Sequence, residues 1–383
     1  MIINLVKALG AMVALIVTPP AVTAQTVNPD PTWPTTNWSL GELPDTVKPG
    51  VESLAIDLFM RQRDERMGET RALVVVHGGQ IVFEQYAEGF DADTRQISWS
   101  LAKSVNQALL GAAVRDGVVA DIDAPMPSAF PAGDSRSNIP WRQWVEMTDG
   151  MAWKEVQALS LTGNDAVQML AGRGRFDVLD YITSRGTLRP PGRHWNYNTG
   201  STILVGEALG RRLTGAQDLE PVAIKTRYDE ILFDRIGMDV VVEFDPSGTP
   251  LTGAMMWATP RDWAKFGLLY LNDGLWDAER VLPEGWTDWA RTGSETDDGN
   301  VYGAGFWRVV PPNLASHAQR SPDDGPWDAY AAQGSEGQVV WIVPSRDLVI
   351  VRTGVMTNSR ENWVALMNWC QAVARAFPEV ATP

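Results

Sequence analysis

The chain has 383 residues, a formal net charge of −15 at pH 7 and 21% charged residues. This length is enough for one large domain or two, and the composition shows neither a disordered tract nor a repeat that would indicate a solenoid or propeller. The Lys and Arg residues form no basic cluster of the kind that nucleic-acid binding requires, so we expect a globular protein without a nucleic-acid partner.

Residues 1–24 have the pattern of an export signal. Lys7 supplies a positive charge, an apolar run extends from Ala8 to Val17, and Val22-Thr23-Ala24 offers small residues for cleavage. The run is shorter than the roughly 20 residues that span a membrane. We therefore predict an exported protein, periplasmic or secreted, without a stable membrane anchor, whose mature chain starts near Gln25. The alternative interpretation is a buried N-terminal helix.

The first elements of the mature chain are an extended arm and a helix, followed by a β-hairpin. The arm covers residues 25–50 and is rich in Pro, Thr and Trp, and the helix runs over about 51–66. Residues 72–77 and 81–86 are β-rich, and His77-Gly78-Gly79-Gln80 between them predicts a tight turn.

The middle of the chain has helical periodicity. Leu101, Val105 and Leu109 lie on one face of a helix predicted over residues 101–116. Thr259, with Pro260 and Asp262 after it, has the pattern of a helix start. Further helices are predicted near residues 141–147, 164–171, 177–184, 201–213, 218–236, 260–273 and 283–291.

Strands return near the end of the chain. Residues 301–310 are predicted to be extended, and residues 337–343 and 348–353 flank the turn 344–347 as an antiparallel hairpin. A closing helix covers about 360–377. Because strands occupy both ends of the sequence and helices the middle, we predict an α+β fold. Its antiparallel sheet is built from N- and C-terminal strands flanked by helices, and a mostly helical lobe is inserted into it.

These elements define the expected domain organisation. One domain covers residues 51–383, with a sheet lobe from about 51–99 and 295–383 and a helical lobe from about 100–294. A ligand site between the sheet and the helical lobe is the natural expectation.

Ser100 and Lys103 stand three residues apart at the start of the helix that follows the first hairpin. Residues at this spacing share one helix face. A serine hydroxyl is a weak nucleophile unless a nearby base takes its proton, and a lysine does so when burial lowers its pKa. The free N–H groups at the helix N-terminus would face a developing oxyanion. On its own, the spacing is more typical of an N-cap serine with a surface lysine.

Two later segments add candidate residues. Tyr197 lies on the turn-rich loop 190–200, where it would relay protons beside a lysine or simply pack on the loop. Residues 333–338, Gln-Gly-Ser-Glu-Gly-Gln, lead into a strand, and their glycines would let a substrate approach the backbone closely. The N–H of Ser335 would be an oxyanion donor beside that of Ser100, unless the segment is only a β-turn or bulge.

The order of these segments resembles the serine β-lactamase-like superfamily, in its class C-type branch with the 6-aminohexanoate-dimer hydrolases and related carboxylesterases. The resemblance covers about residues 70–375 and implies a β-lactamase or penicillin-binding-protein type of fold. It implies an acyl-enzyme on Ser100, Lys103 and Tyr197 as acid and base, and the N–H groups of Ser100 and Ser335 as oxyanion donors, with no metal or cofactor. It is carried by Trp99–Ser104, Trp195–Gly200, Ala258–Gly267 and Gly334–Gln338.

The sequence departs from that family pattern at two places. Thr199 stands where β-lactamases usually have Asn, and Gln333-Gly334-Ser335 stands where they have Lys-Thr-Gly, whose basic residue normally receives the substrate carboxylate. Arg352-Thr353-Gly354 and Arg291-Thr292-Gly293 imitate the missing motif. We interpret both as coincidence, because the first lies one strand too late.

The other candidate residues are less distinctive. A Ser-His-Asp triad would need His77, His194 or His317. The single cysteine, Cys370, rules out an intramolecular disulfide, and three histidines with one cysteine cannot build the usual zinc sites. The residues predicted to line a substrate pocket are Trp99, Trp195, Trp257, Gly334 and Gly337.

The resulting hypothesis is a serine hydrolase that cleaves a small-molecule ester or amide. A β-lactamase or D,D-peptidase is one alternative, and a non-catalytic ligand-binding protein on the same fold is another. The sequence leaves the oligomeric state open.

Overall fold

The computed structural model describes residues 33–60, 66–127, 129–131, 133–156, 160–216, 218–294, 296, 301–309 and 325–380. The predicted export signal at residues 1–24 and the first part of the arm lie outside the described residues, and both stay predictions. No helix within the described ranges is long and apolar enough to cross a membrane.

Among the described residues, helices dominate the middle of the chain and the long strands lie near its two ends. The helices are α1 (Lys48–Met60), α2 (Ala102–Arg115), α3 (Trp141–Val145), α4 (Asp165–Leu170), α5 (Val178–Thr183), α6 (Thr199–Thr214), α7 (Pro221–Tyr228), α8 (Pro260–Leu271), α9 (Trp286–Arg291) and α10 (Arg360–Ala376). The strands are β1 (Glu69–His77), β2 (Gln80–Tyr86), β3 (Gln96–Ile97), β4 (Val241–Val242), β5 (Met256–Ala258), β6 (Leu275–Trp276), β7 (Glu279–Arg280), β8 (Trp307–Arg308), β9 (Tyr330–Gly334), β10 (Gln338–Val343) and β11 (Leu348–Val355).

The main sheet joins the two ends of the chain. Among the described residues it has six strands in the order β2-β1-β11-β10-β9-β8, and its recorded pairings are antiparallel. β1 pairs directly with β11, with Leu73 opposite Arg352. The predicted α+β fold, with one antiparallel sheet built from N- and C-terminal strands, is confirmed.

Both faces of this sheet are covered, because side chains alternate from one face to the other along each strand. Val74 and Val76 of β1 belong to a core shared with α2, α6 and α8. Leu73 and Val75 belong to a second core shared with α1 and α10. The sequences of the inner strands are therefore nearly continuous apolar runs.

Helix α2 lies in the larger core and is buried on almost every side. Leu101, Val105 and Leu109 are buried, as their spacing predicts. The same helix also buries polar side chains, Lys103 among them. A buried lysine needs polar partners, so its position marks this helix as more than a packing element.

Some element bounds differ from the predicted ones. The first helix begins at Lys48 rather than at residue 51. Of the described residues in the segment predicted as a strand over 301–310, only Trp307–Arg308 form a strand. The segment folds back on itself: Tyr302 bridges Trp307, and the N–H of Gly303 donates to the carbonyl of Phe306. The helix predicted over 218–236 is a regular α-helix only to Tyr228. A wider π-helical turn and then a tighter 3-10 turn follow before Gly237.

A second, small sheet was not predicted. It has the order β3-β5-β4 and consists of strands of two or three residues. β3 ends two residues before Trp99, so this sheet fixes the direction in which the chain enters α2.

Candidate active site

The turn that carries Ser100 is held by the small sheet. The N–H of Ser98 donates to the carbonyl of Met256 at 2.8 Å, and the Ser98 hydroxyl accepts from the Met256 N–H at 3.1 Å and donates to Ala254 O at 3.3 Å. Trp99 has a φ of +44°, which is strained for a residue with a side chain. The bonds at Ser98 hold that strain and place Ser100 at the mouth of α2. We call residues 98–101 the nucleophile turn, after the role that we propose for Ser100 below.

Lys103 lies directly behind Ser100. Its Nζ donates to Ser100 Oγ at 2.9 Å, to Thr199 Oγ1 at 2.8 Å and to the Gly253 carbonyl at 2.8 Å. The side chain is 2% exposed. Burial lowers the pKa of Lys103 to about 8, against the opposing charge of Glu155. A substantial fraction of this amine is therefore neutral in mildly alkaline solution and is able to accept the Ser100 proton.

Tyr197 completes the cluster around Ser100. Burial raises the pKa of Tyr197 well above its usual value of 10. The Lys103 Nζ lies 4.9 Å from the centre of its ring. The phenol therefore keeps its proton near neutral pH.

Aromatic rings fix the position of Tyr197. Trp307 stacks on its ring at 5.4 Å, Tyr302 meets it edge-on at 5.8 Å, and Trp195 lies at 6.3 Å. Met147 is buried against the same rings. Trp195 was predicted near the pocket, whereas Tyr302 and Trp307 belong to the segment interpreted as a plain strand.

Glu155 and Thr199 extend the cluster beyond the residues that the sequence indicated. Thr199 begins α6, and its hydroxyl donates to Glu155 Oε1 at 2.6 Å while its N–H donates to Oε2 at 2.9 Å. Because Thr199 also accepts from Lys103, a continuous chain of hydrogen bonds joins Glu155 to Ser100. Thr199 was noted only as a departure from a motif. Glu155 is a single loop carboxylate without a diagnostic spacing, so nothing in the sequence marked it.

Residues 334–337, which we call the 334–337 loop, lie against the nucleophile turn. A Cβ on Gly334 would fall 2.0 Å from the Ser98 carbonyl oxygen and 3.1 Å from the Leu101 nitrogen, so the two backbones touch. The Glu336 carboxylate accepts from the Trp99 indole at 3.1 Å. These contacts place Ser335 next to the turn that carries Ser100.

The remaining candidates are Trp257 and the histidines. Trp257 is half-buried on β5, and its indole donates to Glu243; its place in a substrate pocket stays a prediction. His77 packs on Phe377 at 5.0 Å, beside the turn into β2. His317 lies outside the described residues.

The two imitations of the missing motif contain Arg291 and Arg352. Arg291 pairs with Asp288 on α9, and Arg352 is buried on β11.

In the part of the chain that the structure describes, no group of three or more His, Cys, Asp or Glu residues is arranged to hold a metal ion.

An antiparallel sheet that joins both chain ends, with Ser100 and Lys103 at the start of a buried helix, is the architecture of β-lactamases and penicillin-binding proteins. The Beta-lactamase family model matches residues 59–369, and the chain belongs to that family.

Named relatives agree with this assignment. The chain is 23% identical over 314 residues to the 6-aminohexanoate-dimer hydrolase of Paenarthrobacter ureafaciens, covering 80% of this chain and 78% of that protein. A Bacillus anthracis structure provisionally assigned as a 6-aminohexanoate-dimer hydrolase superposes with a TM-score of 0.68 at 20% identity, over 92% of this chain and 89% of that one. A penicillin-binding protein homologue from Caulobacter crescentus gives a TM-score of 0.59 at 16% identity, over 88% and 99%. At these identities the structural likenesses show the fold alone.

Proposed function

We propose that this protein is a serine hydrolase that cleaves an ester or amide bond of a small molecule through an acyl-enzyme on Ser100. The observation that carries the proposal is the 2.9 Å contact between Ser100 Oγ and a buried Lys103 whose pKa is lowered to about 8. A surface lysine beside an N-cap serine would keep a pKa near 10.5 and would point into solvent. The hydrolase names of the relatives support the same class.

In the acylation step, Ser100 Oγ bonds to the substrate carbonyl carbon and passes its proton to neutral Lys103. The carbonyl oxygen becomes an oxyanion between the N–H groups of Ser100 and Ser335, where loss of one donor typically costs about 10²–10³ in rate. The bond to the alcohol or amine then breaks, and Tyr197 or Lys103 protonates that leaving group. Water attacks the acyl-enzyme with the same residues as base and releases the acid.

The residue at position 333 favours esters and amides over β-lactams and D-peptides. Gln333 stands at the place of the basic residue that β-lactamases use for the substrate carboxylate, and it is uncharged and 5% exposed. An anionic substrate group would lose that ionic partner there. We therefore place β-lactam or D-peptide hydrolysis second.

The direct test is labelling with a fluorophosphonate, read by intact mass, together with turnover of a p-nitrophenyl ester. We expect one adduct on the wild-type protein and none on Ser100→Ala, with turnover lost in the same variant, because the adduct forms on the activated hydroxyl. Ser104→Ala is the matched control. Its hydroxyl is buried on the same helix but donates to the Gly305 carbonyl at 2.6 Å, so labelling should persist.

Two results would contradict the proposal. An adduct that survives in Ser100→Ala would place the nucleophile on another residue. A folded wild-type protein with neither adduct nor turnover would favour a ligand-binding protein on the same fold.

The charge of Glu155 should set the pH dependence of the reaction. In the wild type, kcat/KM for a p-nitrophenyl ester should rise with pH around 8, because the neutral amine of Lys103 is the active form. The Glu155 carboxylate raises the pKa of Lys103, so Glu155→Gln lowers that pKa, and the rising limb moves to lower pH. Glutamine keeps an oxygen acceptor for Thr199.

The control for this prediction is a carboxylate that is buried on α6. Glu207→Gln, on α6 and paired with Arg211, should leave the midpoint of the pH profile in place. A midpoint that stays fixed or moves upward in Glu155→Gln would refute the assigned role of Glu155.

A further inference from the structure

Arg352 is a fully buried arginine that binds the backbone of the 334–337 loop. Its side chain is 0% exposed on β11. Nη1 donates to the carbonyl of Glu336 at 3.0 Å and to that of Gly337 at 2.9 Å. The Nη1 group of the guanidinium thus binds two consecutive peptide carbonyls of the loop.

The other donors of Arg352 bind residues 67–70, at the start of β1. Nη2 donates to the carbonyls of Met67 at 2.7 Å and Glu69 at 3.0 Å, and Nε donates to Thr70 Oγ1 at 3.3 Å. These five bonds all end on neutral oxygens. Burying a guanidinium is costly, and burial lowers the pKa of Arg352 to about 10. A fully hydrogen-bonded fork offsets that cost and fixes the distance between β1 and the loop.

The backbone of the loop is shaped to meet this fork. Glu336 and Gly337 both have positive φ, at +64° and +83°. A Cβ on Gly337 would lie 2.4 Å from Arg352 Nη1, so the guanidinium occupies the space that a side chain would need. Two successive left-handed residues are an unusual backbone that surrounding bonds must maintain.

Other contacts hold the rest of the loop. The Ser335 carbonyl accepts from Gln338 Nε2 at 3.2 Å, and the Glu336 N–H donates to Asn358 Oδ1 at 3.0 Å. On the opposite side, Glu336 accepts from the indole of Trp99, the residue before Ser100. The loop is therefore fixed between Arg352 behind it and the nucleophile turn in front of it.

We infer that Arg352 is a positioning residue that holds the 334–337 loop so that the Ser335 N–H faces the oxyanion formed on attack by Ser100. This inference rests on the function proposed above. Arg352 does not touch substrate; it acts through the backbone of Glu336 and Gly337. The arginine of the Arg-Thr-Gly sequence at 352–354 therefore acts on the site by holding the backbone of the 334–337 loop, and it does not receive a substrate carboxylate.

The test is Arg352→Lys, which keeps the charge but replaces the planar fork with a single ammonium. We expect kcat for p-nitrophenyl acetate to fall about 10–100-fold, because a donor displaced by about 1 Å loses most of its effect. KM should change by less than about three-fold, and fluorophosphonate labelling should slow in parallel with kcat.

The matched control is Arg136→Lys. Arg136 also donates to backbone carbonyls, those of Thr183 and Arg185, in a different part of the molecule. We expect that variant to lose thermal stability but to keep wild-type kcat.

If Arg352→Lys does not fold, Thr70→Val removes one hydrogen-bond acceptor of the Arg352 guanidinium at nearly constant volume. It should lower kcat by roughly two- to ten-fold.

The outcomes separate this inference from the proposed function. Wild-type kcat and labelling in folded Arg352→Lys, or in Thr70→Val when the lysine variant does not fold, would overturn the positioning role and leave the serine mechanism standing. Absence of labelling at Ser100 in the wild type would overturn both.

Discussion

Replacement of Lys103 by methionine should lower kcat/KM for a p-nitrophenyl ester by about 10²–10⁴-fold, the usual contribution of a positioned general base. Methionine is similar in length and fills the same buried space, but it cannot accept the Ser100 proton. Because the buried ammonium is costly in the wild type, the variant should fold. Steady-state kinetics with circular dichroism as a check of folding would measure the effect.

Lys265→Met is the control for this experiment. Lys265 is a second buried lysine, on α8, where its ammonium meets Asp262 at 3.2 Å and the Gly237 carbonyl. Its loss should cost stability and leave kcat/KM unchanged at temperatures where the variant is folded. Near wild-type turnover in folded Lys103→Met would require another base for Ser100.

Gly334→Ala should both destabilise the protein and inactivate it. The added Cβ would fall 2.0 Å from the Ser98 carbonyl and 3.1 Å from the Leu101 nitrogen. Both are backbone atoms that cannot rotate away, so β9 or the nucleophile turn must move. We expect the free energy of unfolding to fall by about 1–3 kcal/mol. The rate should fall by about 10²-fold or more, because Ser100 and Ser335 lose their relative position.

Gly50→Ala provides the comparison for denaturant unfolding and turnover. A Cβ on Gly50 would meet only the Ala376 Cβ, at an ordinary 3.7 Å, and the residue lies in α1. Its stability should stay unchanged or rise, with full activity. Full activity in Gly334→Ala would show that the close approach of β9 is not needed for catalysis.

Features with local causes were predictable from the sequence. The Thr259 hydroxyl accepts from the Asp262 N–H at 3.1 Å at the start of α8, as the capping pattern predicts. The spacing of Ser100 and Lys103 predicted that both side chains lie on one helical turn, since residues three apart share a face. The long apolar strands near the two ends indicated the sheet because their burial leaves a clear pattern.

Features that depend on contacts distant in sequence were not predictable in the same way. Glu155 reaches Lys103 through Thr199, 44 residues further along the chain, and a single loop carboxylate carries no periodicity. The two-residue strand at Trp307–Arg308 is too short for an alternating pattern, yet it places Trp307 on Tyr197. The small sheet that directs the nucleophile turn consists of strands of the same kind.

The pairing of β1 with β11 has a consequence for biosynthesis. Leu73 lies opposite Arg352, and 352 − 73 = 279 residues separate them. At roughly 5–20 residues per second, a ribosome needs about 14–56 s to supply the second partner after the first. Until then β1 lacks a neighbour on that side, and long-range pairing of this kind closes slowly. The main sheet therefore cannot close until almost the whole chain has been synthesised.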